Sequence, residues 1–243
     1  MPKKAASLRL ASILLAGIVL AACATASGTT DEGDPLEATN RVLFDVTLAI
    51  DRNVTRPVAI GYRDGVPQGA RVIVRNFLDN LNSPVVFAND VLQGEPDRAG
   101  TTLARTVVNT TIGIGGLFEI AERWGLPKHY EDFGQTLAVW GVGEGPYLIV
   151  PLLGPSNSRD LVGFGVDFVM DPLFHVNWGD ERYIPWTRFA VDMIDFRSRT
   201  IVQVDDIERT SADFYAATRS LYRQNRVDAI NNGVVEVEDL PDF

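Results

Sequence analysis

The spacing of apolar residues constrains the fold of this chain more than any other feature. Over 96–110, the positions that share one side of a helix are Ala99, Leu103, Val107 and Thr110. A step of three to four residues places side chains on one face of an α-helix, whereas a half-buried strand alternates every second residue. No run before residue 110 alternates for long, no internal repeat occurs, and no Pro- or Ser-rich linker divides the chain after its N-terminal segment. The pattern therefore predicts an all-α fold in a single domain.

Prolines and glycines mark where the predicted helices begin and end. Asp34 is a candidate N-cap and Pro35 suits a first helical turn. Because proline disfavours the α conformation in the residue before it, helix breaks are expected at Arg56-Pro57 and Ser83-Pro84. The predicted helices are 34–55, 67–81, 83–93 (ended by Gly94), 95–110, 117–124, 133–140, 156–170, 186–207 and 211–223, and 147–150 is predicted to be extended.

The first 22 residues have the composition of a secretory signal. A basic start precedes an apolar run over 10–20, which is too short to span a hydrocarbon core of about 30 Å. The run ends Leu20-Ala21-Ala22-Cys23, which resembles the bacterial lipobox, in which the signal is cut before the cysteine and the cysteine is acylated. Cys23 is the only cysteine of the chain, so we predict lipid attachment there; the alternative is a plain signal peptide with a chance cysteine. Ala24 at the next position resembles lipoproteins sorted to the outer membrane.

Charge and cysteine content exclude several classes of function. The chain has 22 Lys plus Arg against 32 Asp plus Glu, a formal net charge of −10. Nucleic acids and anionic lipid surfaces are bound by basic surfaces, so we expect no nucleic-acid partner. A single cysteine permits neither an intrachain disulfide nor a cysteine-based metal site.

Glycine is concentrated in the middle of the chain. Eleven of the 21 glycines lie between Asn109 and Gly165. Because glycine permits positive φ and close approach of backbone segments, this stretch is predicted to contain tight turns or closely packed backbone. The glycines at 141, 143 and 145 match neither a dinucleotide-binding fingerprint nor a phosphate-binding loop, since the spacing differs and no lysine follows.

The sequence nominates no catalytic or metal-binding group. His129 and His175 stand in loop-like surroundings without the partners of a triad or a metal site. The nearest approach to the G-x-S-x-G motif, at 154–158, lacks the final glycine. Arg159-Asp160 follows a loop rich in proline and glycine, and it is either a charge pair at a helix start or a polar group that lines a cavity. We expect no metal site.

A series of motifs resembles the MlaA (VacJ) family of lipoproteins. The motifs cover about 34–233 and occur in the same order as in the family. They are Asp34-Pro35-Leu36-Glu37 with Asn40-Arg41, Arg56-Pro57-Val58-Ala59, Asn76-Phe77-x-x-Asn80-Leu81, Leu92-Gln93-Gly94, Asn109-Thr110-Thr111-Ile112-Gly113-Ile114-Gly115-Gly116, Asp132-Phe133-Gly134-Gln135-Thr136-Leu137, Gly141-Val142-Gly143-x-Gly145-Pro146-Tyr147, Pro151-Leu152-Leu153-Gly154-Pro155-Ser156-x-x-Arg159-Asp160 and Asp213-x-Tyr215-x-x-x-Arg219-x-x-Tyr222. The chain departs from the family at Ala138, where a glycine usually follows Thr-Leu.

The resemblance implies a ring-shaped protein of amphipathic helices embedded in the Gram-negative outer membrane and associated with trimeric porins. It also implies removal of phospholipid misplaced in the outer leaflet and its transfer to a periplasmic lipid-carrier protein, with no cofactor and no enzymatic step. The expected divisions are a signal peptide (1–22), a lipidated tether (23–33), a helical domain (34–233) and a loose acidic tail (234–243).

The resemblance and the glycine density together place a predicted lipid path in the centre of the chain. The candidates for lining it, chosen for small size or polarity, are Asn109, Thr110, Gly141, Gly143, Arg159 and Asp160. The apolar stripe of 43–50 faces either a protein core or a belt of membrane lipid. The sequence leaves both open, because a protein interior and lipid tails favour the same spacing of apolar residues. Two other functions stay open: a membrane-anchored, lipase-like enzyme that uses Ser156 or His129, and a purely structural lipoprotein associated with porin.

Overall fold

The computed structural model describes residues 34–176 and 183–233. Within these ranges the chain forms nine α-helices and one hairpin of two strands. The helices are α1 (Glu37–Ile50), α2 (Arg56–Gly65), α3 (Gln68–Gln93), α4 (Pro96–Thr111), α5 (Phe133–Val139), α6 (Ser158–Met170), α7 (Pro172–His175), α8 (Ile184–Thr210) and α9 (Phe214–Ile230), and the strands are β1 (Tyr147–Val150) and β2 (Gly154–Asn157). The predicted signal peptide, the lipid site Cys23, the tether and the acidic tail lie outside the described residues.

The helix break predicted at Arg56-Pro57 is wrong. The chain continues from α1 through a π-helical turn, Asp51–Thr55, directly into α2, and Pro57 lies in the first turn of α2. In the π turn the N–H of Arg56 bonds the carbonyl of Asp51, five residues back. This wider turn shifts the carbonyls away from the proline ring, which would otherwise meet the carbonyl four residues before it.

The break predicted at Ser83-Pro84 is also wrong. Pro84 lies inside α3, a helix of 26 residues. The hydroxyl of Ser83 donates to the carbonyl of Asp79 at 3.1 Å. A proline inside a helix costs about 3 kcal/mol, but α3 packs against α4, α5 and α8, and burial along this length outweighs that cost.

Other boundaries agree with the sequence. α3 ends at Gly94, which adopts the left-handed conformation with φ of 77°, and Pro96 opens α4. Asn157 caps α6 by accepting from the N–H of Asp160 at 2.7 Å. The predicted extended segment is β1, which pairs antiparallel with β2. The helix predicted at 117–124 is reduced to a 3-10 turn, Glu122–Trp124.

An apolar cluster joins α1, the hairpin and α9. Phe44, Tyr147, Ile149 and Tyr215 are all buried in it, and the rings of Phe44 and Tyr215 meet edge to face at 5.6 Å. Asn40 ties α1 to β1 because it donates to the carbonyl of Tyr147 at 2.9 Å and accepts from the N–H of Ile149 at 3.0 Å. The stripe of 43–50 therefore faces the core at Phe44.

Elsewhere the helices bury polar side chains and expose apolar ones. On α4, Thr102, Arg105 and Asn109 are buried, whereas Leu103 and Val107 are 52% and 53% exposed. The apolar face predicted for this helix therefore points outward, apart from Ala99. Among the described residues the buried set holds fifteen polar or charged side chains and eleven hydrophobic ones, whereas charged and polar residues usually lie outside.

The long helix α8 follows the same inverted pattern. Asp195, Arg197, Ser198 and Ile201 are its buried residues, and Phe196 is exposed. The spacing of four residues between Asp195 and Arg199 predicts an ion pair on a solvated face, which is wrong for the carboxylate because Asp195 is buried. Asp195 accepts from the Nε atoms of both Arg75 and Arg199 at 3.0 Å.

None of the helices in 34–176 and 183–233 is both long and apolar enough to cross a bilayer.

Candidate functional site

A cavity of about 260 Å³ lies between α3, α6, α7 and α8. Its lining consists of Asn82, Val85, Glu131, Asp132, Phe164, Asp167, Phe168, Asp171, Phe174, Pro185, Arg188, Phe189 and Asp192. The cavity opens outward, since Phe164 and Phe174 in its wall are 43% and 47% exposed.

One wall of the cavity is built from phenyl rings. Phe164 of α6 and Phe189 of α8 meet edge to face with ring centroids 6.2 Å apart. Phe168, one turn after Phe164, contacts the ring of Phe174 at 4.9 Å. Such a surface accepts hydrocarbon but offers no hydrogen bond.

The lining also includes five carboxylates, which we call the carboxylate wall. Three of them are paired with arginines: Glu131 with Arg98, Asp132 with Arg226 and Asp171 with Arg188. The cavity is therefore amphipathic, because phenyl rings and charged side chains both line it.

Arg226 of α9 organises the layer behind Asp132. Its two terminal nitrogens donate to the oxygens of Asp132 at 2.6 Å each, and Nη2 also donates to Asp160 at 3.0 Å. Asp160 further accepts from Asn157 at 3.0 Å and from the hydroxyl of Tyr222. Burial alone raises the pKa of Asp132, but the hydrogen bonds and charge of Arg226 outweigh it, and the pKa is lowered. Asp132 is therefore a fixed anion in the wall.

Two further carboxylates in the lining make no direct ion pair with an arginine or lysine of the described residues, although arginine charges nearby favour their ionised forms. Burial raises the pKa of Asp167 to about 6, although the N–H of Phe133 and the amide of Asn89 donate to it at 2.9 Å. Burial also raises the pKa of Asp192, with a further contribution from the charge of Asp79. The side chain of Asp192 is exposed, and the charges of Arg188 and Arg199 partly offset the rise in its pKa.

The lining residues predicted from the sequence fall into three groups. Asn109 is buried and structural, since its side chain bonds Glu119 at 2.7 Å and the N–H groups of Ile120 and Ala121 at 2.9 Å. Thr110 bonds Asn80 at 3.0 Å. Neither of these two residues lines the cavity.

Gly141 and Gly143 lie in an exposed loop that the cavity does not reach. At the start of α6, Arg159 is buried and Asp160 is half-buried, and Nε of Arg159 donates to Asp160 at 3.0 Å. They touch the cavity only indirectly, through Arg226 and Asp132. That these six residues line a lipid path stays a prediction, and the amphipathic cavity favours a different set.

The sequence pattern does not single out the residues that line the cavity. Phe189 stands in an apolar stripe, and Asp192 follows Arg188 by four residues, the spacing of a surface ion pair. Arg188 instead bonds Asp171 and Asn82. A usable signal was Asp167, a lone acid within the apolar run of α6. A charge in such a run indicates a polar surface facing inward.

The groups of the enzymatic alternative do not form a relay. His129 does have partners, Asp90 and Thr102, but both contact the same nitrogen, Nε2, at 3.0–3.1 Å. A triad needs the acid and the nucleophile on opposite ring nitrogens. The hydroxyl of Ser156 donates to the carbonyl of Asn157 at 3.3 Å and also lies in hydrogen-bond contact with Tyr222, so its described partners do not include His129. Within the described residues, no group of three His, Cys, Asp or Glu side chains is placed to hold a metal.

Comparisons with known proteins agree on one family. The family model described as MlaA lipoprotein matches residues 32–229. The intermembrane phospholipid transport system lipoprotein MlaA of Escherichia coli K12 is 33% identical over 222 residues, which cover 88% of this chain and 86% of that protein. An uncharacterized protein of Rickettsia felis is 33% identical over 201 residues, covering 82% and 79%.

A solved structure, described as "Structural basis for maintenance of bacterial outer membrane lipid asymmetry", is 32% identical to this chain. It superimposes with a TM-score of 0.74 and covers 82% of this chain and 100% of its own. The motifs, the family model and the shared fold have one explanation: this chain belongs to the MlaA lipoprotein family.

Proposed function

We propose that this protein is an outer-membrane lipoprotein that takes up phospholipid misplaced in the outer leaflet and passes it to a periplasmic carrier protein. Besides family membership, the observation that supports this function is the amphipathic cavity. Its phenyl wall matches acyl chains, and its charged wall matches a headgroup. The fold thus offers a phospholipid both of the environments that the lipid needs.

The energetics of lipid movement favour such a cavity. A charged headgroup that enters hydrocarbon loses its hydration, at an effective cost of several kcal/mol per ion. Charged side chains and water in a protein cavity replace that hydration. In this scheme, a phospholipid that enters the cavity from one side passes along it without an input of energy.

The exterior of the molecule supports a position within the outer membrane. Apolar side chains point outward from α4, α6 and α8, among them Val107, Val162 and Trp186. Patches of this kind indicate contact with membrane or protein, and amphipathic helices that lie in the bilayer plane bury such faces. Acylation at Cys23 would anchor the chain, and the helices would form a ring around the lipid path.

The assignment of partners rests on the family alone. A trimeric porin would hold the ring in the membrane, and a periplasmic lipid carrier would receive the phospholipid. The proposed function involves no catalysis, which agrees with the named relatives being transport lipoproteins.

A charge in the phenyl wall tests the function directly. In a cell that lacks its own copy, the variant Phe164→Asp should return outer-leaflet phospholipid to the level of the deletion strain. The reason is that a carboxylate at this partly exposed position repels acyl chains while leaving the core intact. We expect transfer to fall at least about tenfold, which corresponds to about 1.4 kcal/mol.

The matched control is Gln203→Asp, which adds the same carboxylate at an exposed polar position of α8 outside the cavity lining. It should keep most of the transfer. Normal lipid asymmetry with Phe164→Asp, at equal protein levels in the outer membrane, would rule out the cavity as the lipid path. Release of free fatty acid by the purified protein, lost on changing His129 or Ser156, would establish the enzymatic alternative instead.

A further inference from the structure

A segment without regular secondary structure, 127–131, lies between the 3-10 turn and α5. We call this segment the strap. Within the described residues, none of the N–H groups of 128–131 donates a hydrogen bond to a backbone carbonyl. Most hydrogen bonds of a folded protein join backbone groups. The strap therefore depends on its side chains to hold it in place.

His129 and Glu131 anchor the strap. Nε2 of His129 lies 3.0 Å from the buried carboxylate of Asp90. Glu131 is itself buried and accepts from the amide of Gln93 at 2.9 Å. Breaking either contact would leave a buried polar group without its partner, which is costly. These two positions therefore resist movement.

Lys128 and Tyr130 make a weaker contact with α3. Lys128 pairs with Asp79, and these two side chains are 25% and 20% exposed. Tyr130 is exposed and donates to the same carboxylate at 3.4 Å, and Nζ of Lys128 lies 4.7 Å from the centre of its ring. Ion pairs that reach solvent contribute little to stability. We call this contact the latch, because it can open while His129 and Glu131 stay in place.

The latch lies beside the narrowest of three neighbouring cavities. A cavity of about 30 Å³ is bounded mainly by α3, α4 and the strap. Asn82 lines both this small cavity and the amphipathic cavity of about 260 Å³. Lys128, His129 and Tyr130 line both the small cavity and a groove of about 480 Å³ beside the last turn of α9. The small cavity has room for about two water molecules, so it separates the two larger spaces.

We propose that the latch is a gate, and that its opening lets the phospholipid headgroup pass from the amphipathic cavity to the groove beside α9. This inference rests on the proposed function and names a control point within it. With the latch closed, the small cavity cannot hold a phosphate group. When Lys128 and Tyr130 turn away from Asp79, the three spaces join. The side chains around the small cavity are polar apart from Val86, so protein groups replace part of the hydration of the headgroup there.

A reversible bridge across the latch tests the gate. The variant carries Asp79→Cys and Lys128→Cys in the full-length lipoprotein, in a cell that lacks its own copy. A short thiol crosslinker that a reducing agent releases then holds the latch closed. We expect outer-leaflet phospholipid to rise to the level of the deletion strain after bridging and to return to the level of the parent after reduction. The same protein is compared in both states, so an effect of the two exchanges on folding does not alter the comparison.

The matched control is Asp206→Cys with Arg209→Cys, which replaces an exposed ion pair within α8. Bridging this pair should leave outer-leaflet phospholipid unchanged. A second variant, Asp79→Asn, loosens the latch because it removes the ion pair with Lys128. It should keep outer-leaflet phospholipid at or below the level of the parent, since the gate then opens more easily.

The outcomes separate the two proposals. If the bridged and reduced forms maintain lipid asymmetry equally, or if the reagent does not bridge positions 79 and 128, the latch is not the gate and the transport function stands. If Asp79→Asn raises outer-leaflet phospholipid as the deletion does, the ion pair serves the structure, and the gate inference is again wrong. If the parent itself leaves outer-leaflet phospholipid at the level of the deletion strain, both proposals fall.

Discussion

At the scale of single residues, two glycines determine how closely α5 and α6 approach. A Cβ on Gly163 would lie 2.3 Å from the backbone nitrogen of Gly134, and a Cβ on Gly134 would lie 2.4 Å from Nη2 of Arg226. Both distances are shorter than van der Waals contact. Glycine at both positions lets Arg226 reach Asp132 and Asp160 where α5 and α6 cross. The two glycines therefore set the shape of the carboxylate wall.

Gly163→Ala should therefore destabilise the protein by about 1–3 kcal/mol through overpacking. Gly165→Ala is the control, since no atom lies within 4 Å of its added methyl group. It should be neutral or stabilise α6 by up to about 1 kcal/mol. Chemical unfolding in detergent measures both, and equal stability of the two variants would contradict the close crossing.

Asp167 makes stability depend on pH. Its pKa in the fold, about 6, lies above the ordinary value of 3.8, so the ionised carboxylate opposes folding. This penalty is absent below pH 3.8, grows as the pH rises and is complete above pH 6. Asp167→Asn should thus gain about 2 kcal/mol relative to the parent between pH 4 and pH 7. Unfolding curves at the two pH values measure this gain, and a difference that does not change with pH would contradict the raised pKa.

The sequence predicted part of this residue-level picture. Glycine density indicated closely packed backbone, and that is found at Gly134 and Gly163. It did not indicate which glycines are needed, because close approach depends on residues about thirty positions apart in the chain. The exposed Gly141 and Gly143 have the same local sequence character and no such contact.

At the scale of elements, α4 shows why periodicity located the helices but not their inner faces. The spacing of Ala99, Leu103 and Val107 correctly predicted a helix. Its inward side is instead polar: Arg105 bonds Glu119 at 2.9 Å and the carbonyl of Leu126, and so fixes the loop after the helix. A hydrophobic pattern looks the same against a protein core and against lipid, so only the packed structure decides between them.

The two faces of α4 should respond differently to substitution. With Cys23→Ala in the full chain to remove the anchor, Val107→Asp should weaken binding to phospholipid vesicles because a charge enters the apolar belt. Its unfolding free energy in detergent should change by less than about 0.5 kcal/mol, as for other exposed positions.

Thr102→Val should do the opposite. The hydroxyl of Thr102 donates to the buried carboxylate of Asp90 at 2.6 Å, and its loss should cost about 1.5–3 kcal/mol of stability with vesicle binding unchanged. Flotation with vesicles and chemical unfolding measure the two effects. If Val107→Asp destabilises the fold while vesicle binding persists, α4 does not face lipid.

At the scale of the whole molecule, the all-α fold and the family were both predictable from the sequence and are confirmed by the described helices and by the comparisons. Long runs of helical spacing and several separate motifs carried these predictions. The site was not predictable in the same way. Its walls come from α3, α6, α7 and α8 and from the segment before α5, and no local pattern records that Phe164 meets Phe189 or that Arg226 meets Asp132.

In the proposed function, phospholipid occupies the cavity that is lined by the phenyl rings and the carboxylates. The most direct measurement replaces Phe189 with a photoreactive phenylalanine analogue in living cells and identifies what is cross-linked by mass spectrometry. Phe214, which packs on Phe44 in the apolar cluster, serves as the matched control position. We expect a phospholipid adduct at position 189 and none above background at 214. Absence of lipid at 189, or equal capture at both positions, would contradict it.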